Sequence, residues 1–284
     1  MAIKRIMVIG AGQMGGGIAQ VAAEAGFEVI LNDIDQGVID KRITFISGLL
    51  DRSITKERIS AADKAATLTR LSPSTDLKDA AGVDFIIEAA TENMALKEKI
   101  FRTLDEVARP EVILATNTSS LPITELAAVT GRPELVIGMH FMNPVPVMQL
   151  VGVIRGIATS DTTYSRVKDL SEKMGKVPVE VNDYPGFISN RILMPMINEA
   201  IYCIYEGVAD AESIDTVMKL GMAHPMGPLT LADFIGLDTC LAIMEVLYEG
   251  FADSKYRPCP LLRKMVKAGW LGKKSGKGFF DYSG

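Results

Sequence analysis

The chain has 284 residues, 48% of them apolar and 23% charged, which suits one large domain or two moderate ones with a sizeable core. Its net charge of −5 at pH 7 argues against a general nucleic-acid binder, so an anionic ligand needs a local cationic patch. Three widely spaced cysteines (Cys203, Cys240, Cys259) and two histidines give neither a disulfide framework nor a metal site, and no apolar run approaches the ~18 uncharged residues of a membrane span.

The first apolar run, "IKRIMVIG", reads as a strand, and a helix is predicted over 14–25. Between them Gly10, Gly12 and Gly15 stand in G-x-G-x-x-G spacing. Strand, glycines and helix in that order are the context in which this spacing binds a dinucleotide. Gly10 permits the tight turn, Gly12 lets the backbone approach a pyrophosphate, and Gly15 lets helix and strand pack closely. The amino-terminal run lacks the longer apolar core and small-residue cleavage site of a secretory signal, so a cytoplasmic setting is expected.

The next run, "FEVILND", ends in Asp33, 18 residues after Gly15 (33 − 15). An acid at the end of the second strand accepts ribose hydroxyls and repels a 2′-phosphate. No Arg or Lys follows closely in "NDIDQGVID", which favours NAD over NADP. A helix is predicted over 36–54, with Lys41, Arg42, Arg52, Lys56 and Arg58 along it and its exit. Arg52 and Lys56 are four apart and share a face. Taken alone they are either a solvated face with Asp51 and Glu57 as partners or an anion-binding one.

Further apolar runs follow: "DFIIEAA", "VILATNT", "LVIGMHF", "MQLVGVI" and "VPVEVN". Helices are predicted between many of them, over 94–108, 122–129 and 161–174. Near-continuous apolar strands alternating with helices indicate a parallel sheet covered on both faces. In this stretch Glu92 and Lys97 read as a charged first helical turn, Ser119 as a helix N-cap and Asn143 as a turn starter before Pro144. His140 ends an apolar strand, where a histidine is ordinarily a core residue. Ligands of open α/β sheets nevertheless bind beyond those strand ends.

After "NDYPGF" the texture changes to helices, over 187–206, 211–220, 228–249 and 259–268. The boundary is placed at Asn182–Pro185, dividing the chain into an α/β domain, 1–183, and an all-α domain, 184–284. The run "RILMPMINEAIYCIYEG" is apolar nearly all round, which calls for burial on several sides and suggests a second subunit. His224, in a Pro/Gly loop, reads as structural.

These stretches, from "GAGQMGGGIAQ" through "EAATENMALKEKIF", "ATNTSSLPI", "GMHFMNPVPVMQLV", "DYPGFISNRI" and "GMAHPMGPLTLADFIGLD" to "GWLGKKSGKGFFDY", resemble in order the L-3-hydroxyacyl-CoA dehydrogenase family. The likeness is closest to its single-function bacterial 3-hydroxybutyryl-CoA dehydrogenases and spans nearly the whole chain. It implies an N-terminal Rossmann-like domain followed by a helical domain that forms a homodimer or a higher oligomer. It also implies interconversion of a (3S)-hydroxyacyl-CoA and a 3-ketoacyl-CoA with NAD, and a preference for C4 substrates.

By the same resemblance His140 is the catalytic acid/base. Ser119 and Asn190 are polar groups around the substrate C3 oxygen. Glu92, Lys97 and Asn143 lie near the cofactor, and Arg52 and Lys56 lie where CoA is contacted. The family reads "MKLVE" where this chain reads "MQLVG", so the glutamate that orients the histidine maps onto Gly152. Three readings stay open. The chain is a variant with crippled catalysis, an enzyme in which a water or another carboxylate stands in, or a catalytically weak dinucleotide-binding homologue with a structural or sensing role. A free-acid 3-hydroxyacid dehydrogenase is a further enzyme reading, but "NDYPGFISNRI" offers asparagine where those enzymes place a lysine base.

Overall fold

A computed structural model of the chain describes residues 3–283. It divides into two compact units, Met1–Asp183 and Tyr184–Gly284.

The first unit is an eight-stranded sheet. Its strands are β1 (Arg5–Ile9), β2 (Glu28–Asn32), β3 (Leu71–Ser74), β4 (Phe85–Glu88), β5 (Ile113–Thr116), β6 (Val136–Phe141), β7 (Leu150–Arg155) and β8 (Val177–Asn182). They lie in the order β3-β2-β1-β4-β5-β6-β7-β8. Every neighbouring pair is parallel except β6 and β7. Six helices accompany them: α1 (Gln13–Glu24), α2 (Gln36–Thr55), α3 (Ala61–Thr69), α4 (Met94–Val107), α5 (Ile123–Ala128) and α6 (Asp161–Lys173).

The central strands are apolar at consecutive positions because both faces are covered. On one face Ile6, Val8, Val29, Leu31, Phe85 and Ile87 pack with Ile18 and Ala22 of α1 and Ile39, Ile46 and Leu50 of α2. The intervening Met7, Ile30 and Ile86 are equally buried, as are Phe101 and Leu104 of α4. Several helices start on polar caps: Asp35 accepts from Gly37 N–H at 2.7 Å, and Asn93 accepts from Leu96 N–H at 2.9 Å.

The structure adds elements absent from the expected series, a helix and a strand among them. Helix α3 opens on a Ser60/Asp63 capping box. Strand β3, "LSPS", pairs only with β2, at the sheet edge where Pro73 is tolerated. The expected parallel sheet is present, with one antiparallel pair where β7 runs against β6.

The second unit comprises α7 (Ser189–Tyr205), α8 (Ala211–Thr216), α9 (Pro228–Ile235), α10 (Leu237–Phe251) and α11 (Pro260–Lys267). The single helix expected over 228–249 is two, broken at Gly236, whose φ of +101° lies outside helical space. Met194, Ile197, Ile201, Leu237, Met244, Leu247 and Leu262 form the core of this unit. Asn198, embedded in the apolar run of α7, bonds the Arg257 carbonyl at 3.0 Å and the Cys259 N–H at 2.8 Å, which satisfies its burial. Among the described residues no helix is long and apolar enough to cross a membrane.

Candidate active site

The carboxyl ends of β1, β2, β4, β5 and β6 share one edge of the sheet, and most of the candidate site residues follow them. At the end of β1, Gly10 has φ +97°, and a Cβ there would stand 2.5 Å from the Ala89 carbonyl oxygen. A Cβ at Gly15 would collide with the Gly10 carbonyl, so this glycine is required by packing between helix and loop.

Gly12 differs from both. A Cβ there would meet nothing within 4 Å, and as the N-cap of α1 it provides no side-chain cap. Open space therefore adjoins the uncapped first turn of α1, which is a fit for a pyrophosphate. Asp33, at the end of β2, accepts from the Ala11 N–H at 2.8 Å through Oδ2. That bond fixes the carboxylate beside the glycine loop, where ribose hydroxyls would bind.

His140, the next-to-last residue of β6, is half-buried, with Gly152 as its cross-strand partner. Side chains of directly paired residues project to the same face. A Cβ at Gly152 would lie 3.6 Å from His140 Cβ with ordinary contacts elsewhere, so the position has room for a side chain beside the imidazole. Burial pushes the His140 pKa below its ordinary 6.5, and the Glu92 carboxylate partly offsets this.

Glu92 follows β4 and is the hub of the loop after β5. Its Oε1 accepts from Thr118 Oγ1 at 2.6 Å, Ser119 N–H at 2.9 Å, Ser119 Oγ at 3.2 Å and Ser120 N–H at 3.2 Å. Burial raises the Glu92 pKa, but these bonds and the Lys97 ammonium outweigh it and hold the carboxyl below its usual range.

Behind Glu92 lies a buried ion pair. Lys97 Nζ donates to Glu88 Oε1 at 2.7 Å, Glu88 Oε2 at 2.9 Å and the Ala90 carbonyl at 3.2 Å, and stands 3.6 Å from Glu92 Oε2. Lys97 is 1% exposed and Glu88 is fully buried. Two carboxylates thus share one ammonium. Its close contacts go to Glu88, and Glu92 is the carboxylate whose charge acts on His140. Glu88 was not singled out in the sequence because an acid ending "DFIIEAA" has no pattern that separates a buried partner from a solvated strand end.

Asn143 joins the histidine loop to the dinucleotide loop: its Oδ1 accepts from Gln13 Nε2 at 2.9 Å. Lys176 steadies the same loop by donating to the Met148 carbonyl at 2.8 Å and to that of Val145. Ser119 is not the N-cap of α5, which is Pro122. Its place is against Glu92.

Arg52 and Lys56 are exposed at the carboxyl end of α2, and neither forms an ion pair among the described residues. Asp51, the partner expected for this face, bonds Lys64 Nζ at 2.6 Å. Asn190 belongs to the second unit, in the first turn of α7.

A dinucleotide loop hydrogen-bonded to the segment after a histidine-bearing strand, with a helical unit following, places the chain among the two-unit dinucleotide-dependent dehydrogenases. Residues 5–184 match the NAD-binding domain of 3-hydroxyacyl-CoA dehydrogenases, and residues 186–282 match their C-terminal domain. The chain belongs to the 3-hydroxyacyl-CoA dehydrogenase family, and its first unit is the NAD-binding domain.

It is 63% identical over 282 residues to a probable 3-hydroxybutyryl-CoA dehydrogenase of Bacillus subtilis, covering 99% of this chain and 98% of that one. It is 56% identical to a 3-hydroxybutyryl-CoA dehydrogenase of Bradyrhizobium diazoefficiens, covering 99% and 96%. The crystal structure of an (S)-3-hydroxybutyryl-CoA dehydrogenase from Ralstonia eutropha superposes with a TM-score of 0.98 at 53% identity, covering all of both chains.

Proposed function

We propose that this chain interconverts (3S)-3-hydroxybutyryl-CoA and acetoacetyl-CoA with NAD(H), and that His140 is the general acid/base. The nicotinamide, when bound, supplies or accepts the hydride at C3. The protein has to move the proton of the C3 hydroxyl. His140 accepts it in oxidation and returns it in reduction, a task that suits an imidazole titrating not far from neutrality.

Ser119, held against Glu92 by its backbone N–H, turns its hydroxyl proton to the C3 oxygen, where negative charge develops. Such a contact contributes roughly 2–4 kcal/mol to transition-state stabilisation. Asp33 binds the adenosine ribose, and the first turn of α1 takes the pyrophosphate. Glu92 and Asn143 border the nicotinamide end, with Lys97 holding Glu92 from behind. Arg52 and Lys56, lacking ion pairs, supply cations for the phosphates of CoA.

The observation that carries this reading is the Gln13–Asn143 hydrogen bond at 2.9 Å, which ties the dinucleotide loop to the segment after His140. Glu92 supplies negative charge near the imidazole where Gly152 supplies none, in keeping with an enzyme in which another carboxylate stands in for the family's glutamate. Cytoplasmic location and a homodimeric or larger assembly complete the proposal.

The test is NADH consumption with acetoacetyl-CoA and, separately, with free acetoacetate. Turnover of the thioester alone is expected. NADH binding without turnover, persisting in Gly152→Glu, would instead favour a binding homologue. Turnover of the free acid would point to a 3-hydroxyacid dehydrogenase.

A further inference from the structure

The loop between β6 and β7, residues 142–149, is anchored from two sides. On one side it lies on α1. Asn143 Oδ1 accepts from Gln13 Nε2, in the first turn of that helix, at 2.9 Å. Two residues further on, buried Val145 packs on Gly17, where an added Cβ would stand 2.9 Å from Val145 Cβ. A glycine at this point of α1 lets the loop come so close.

On the other side stands Lys176, the residue just before β8. Its neighbour Val177 opens the ladder, with the N–H donating to the Gln149 carbonyl at 2.8 Å. Lys176 Nζ reaches under the loop and donates to the carbonyls of Val145 and Met148. The Pro144 carbonyl accepts from the Val147 and Met148 N–H groups, each at 3.0 Å, so the loop closes on itself around these contacts. Val145 is thus held by an ammonium at its carbonyl and by a glycine at its side chain.

Lys176 is 8% exposed and forms no ion pair among the described residues. Burial pushes its pKa below the ordinary 10.5, and the Glu24 carboxylate partly opposes this. An ammonium taken out of water without a bonded carboxylate is a costly way to stabilise a fold. An apolar side chain would fill the space more cheaply and would leave both carbonyls unheld. What the lysine adds is a fixed loop geometry, through two charge-assisted bonds. That geometry ends at the cofactor corner, because Gln13 follows Gly12 at the uncapped, open start of α1.

We propose that Lys176 is a positioning residue for cofactor binding, holding the β6–β7 loop on α1 so that Asn143 meets Gln13 beside the dinucleotide. The inference rests on the placing of Asn143 at the nicotinamide end and is independent of turnover at His140.

Binding is measured without substrate, through NADH fluorescence with 5′-AMP as a competitor, and melting temperatures are recorded alongside. 5′-AMP reports the adenosine end, at Asp33. Lys176→Met, which keeps the stem and loses the donors, should weaken NADH by about tenfold or more and leave 5′-AMP within about twofold. Lys176→Gln, which keeps amide donors on a shorter stem, should fall between, and it carries the same comparison if Lys176→Met does not fold. Asn143→Ala should also weaken NADH. The double variant should lie within about twofold of the weaker single one, because the lysine acts through the asparagine.

Unaltered NADH affinity in Lys176→Met would overturn the proposal. So would equal weakening of NADH and 5′-AMP, which marks general damage to the unit, or losses that multiply in the double variant. Unaltered NADH affinity in Asn143→Ala would overturn both the proposal and the placing of Asn143. Lost turnover with the binding pattern intact would count against the His140 chemistry alone.

Discussion

His140 faces a glycine across the β6/β7 ladder, and the built Cβ at Gly152 has ordinary contacts. A glutamate at this position starts on the imidazole side of the sheet without displacing a neighbour. Gly152→Glu is expected to raise kcat/KM for acetoacetyl-CoA reduction by roughly tenfold or more, since removing such an outer partner typically costs that much. Equal turnover of both forms would show that the histidine does not need this acid. The pH dependence has a definite sign. Burial lowers the His140 pKa below 6.5, and Glu92 opposes that shift. Reduction consumes the imidazolium, so kcat/KM for reduction falls as pH rises through a pKa below 6.5, while oxidation rises through it. Glu92→Gln removes the opposing charge and should move the His140 pKa further down. Because the chain has only two histidines, an NMR titration of the free protein reads His140 directly. An unmoved His140 titration would remove Glu92 from this role.

The β1–α1 element separates two demands on glycine. Gly15 is fixed by the fold, because its Cβ would collide with the Gly10 carbonyl, whereas Gly12 faces open space. Gly12→Ala should keep the wild-type melting temperature and lose roughly tenfold or more in NADH affinity. Gly15→Ala should lower the melting temperature itself. Thermal melts and NADH titrations of the two variants decide this, and equal NADH affinity for Gly12→Ala and wild type would contradict the cradle. This element was legible in the sequence because strand, glycine spacing, helix and strand-end acid reinforce one another. Other elements were not. Strand β3 has four residues, one of them proline, so neither length nor alternation marks it. Lys97 reads as a surface charge because its partner Glu88 is nine residues away and on another element. Arg42 was seen as one basic residue among five. Its return to the Ala11 carbonyl depends on how α2 packs on α1, which spacing along the chain does not encode.

Over the whole molecule, the two textures of the sequence correspond to a sheet unit and a helical unit, but the break of one expected helix at Gly236 was hidden in an apolar run. The helical unit leaves large apolar side chains open to solvent, with Val208 69%, Leu220 83% and Phe234 64% exposed. Apolar side chains exposed to that degree on one unit favour a covered interface between copies of the chain. Sedimentation equilibrium should return a dimer or a larger closed assembly, and a monomer at micromolar concentration would contradict that part of the account. The central claim concerns the chemistry of the assembled enzyme: His140 moves the proton while hydride passes between C3 and the nicotinamide. Its most direct test is the steady-state rate of NADH oxidation with acetoacetyl-CoA for the wild-type protein and for His140→Gln, with NADH affinity measured alongside. The account predicts turnover that falls by about 100-fold or more in the variant while NADH still binds. Wild-type turnover retained in His140→Gln would contradict it.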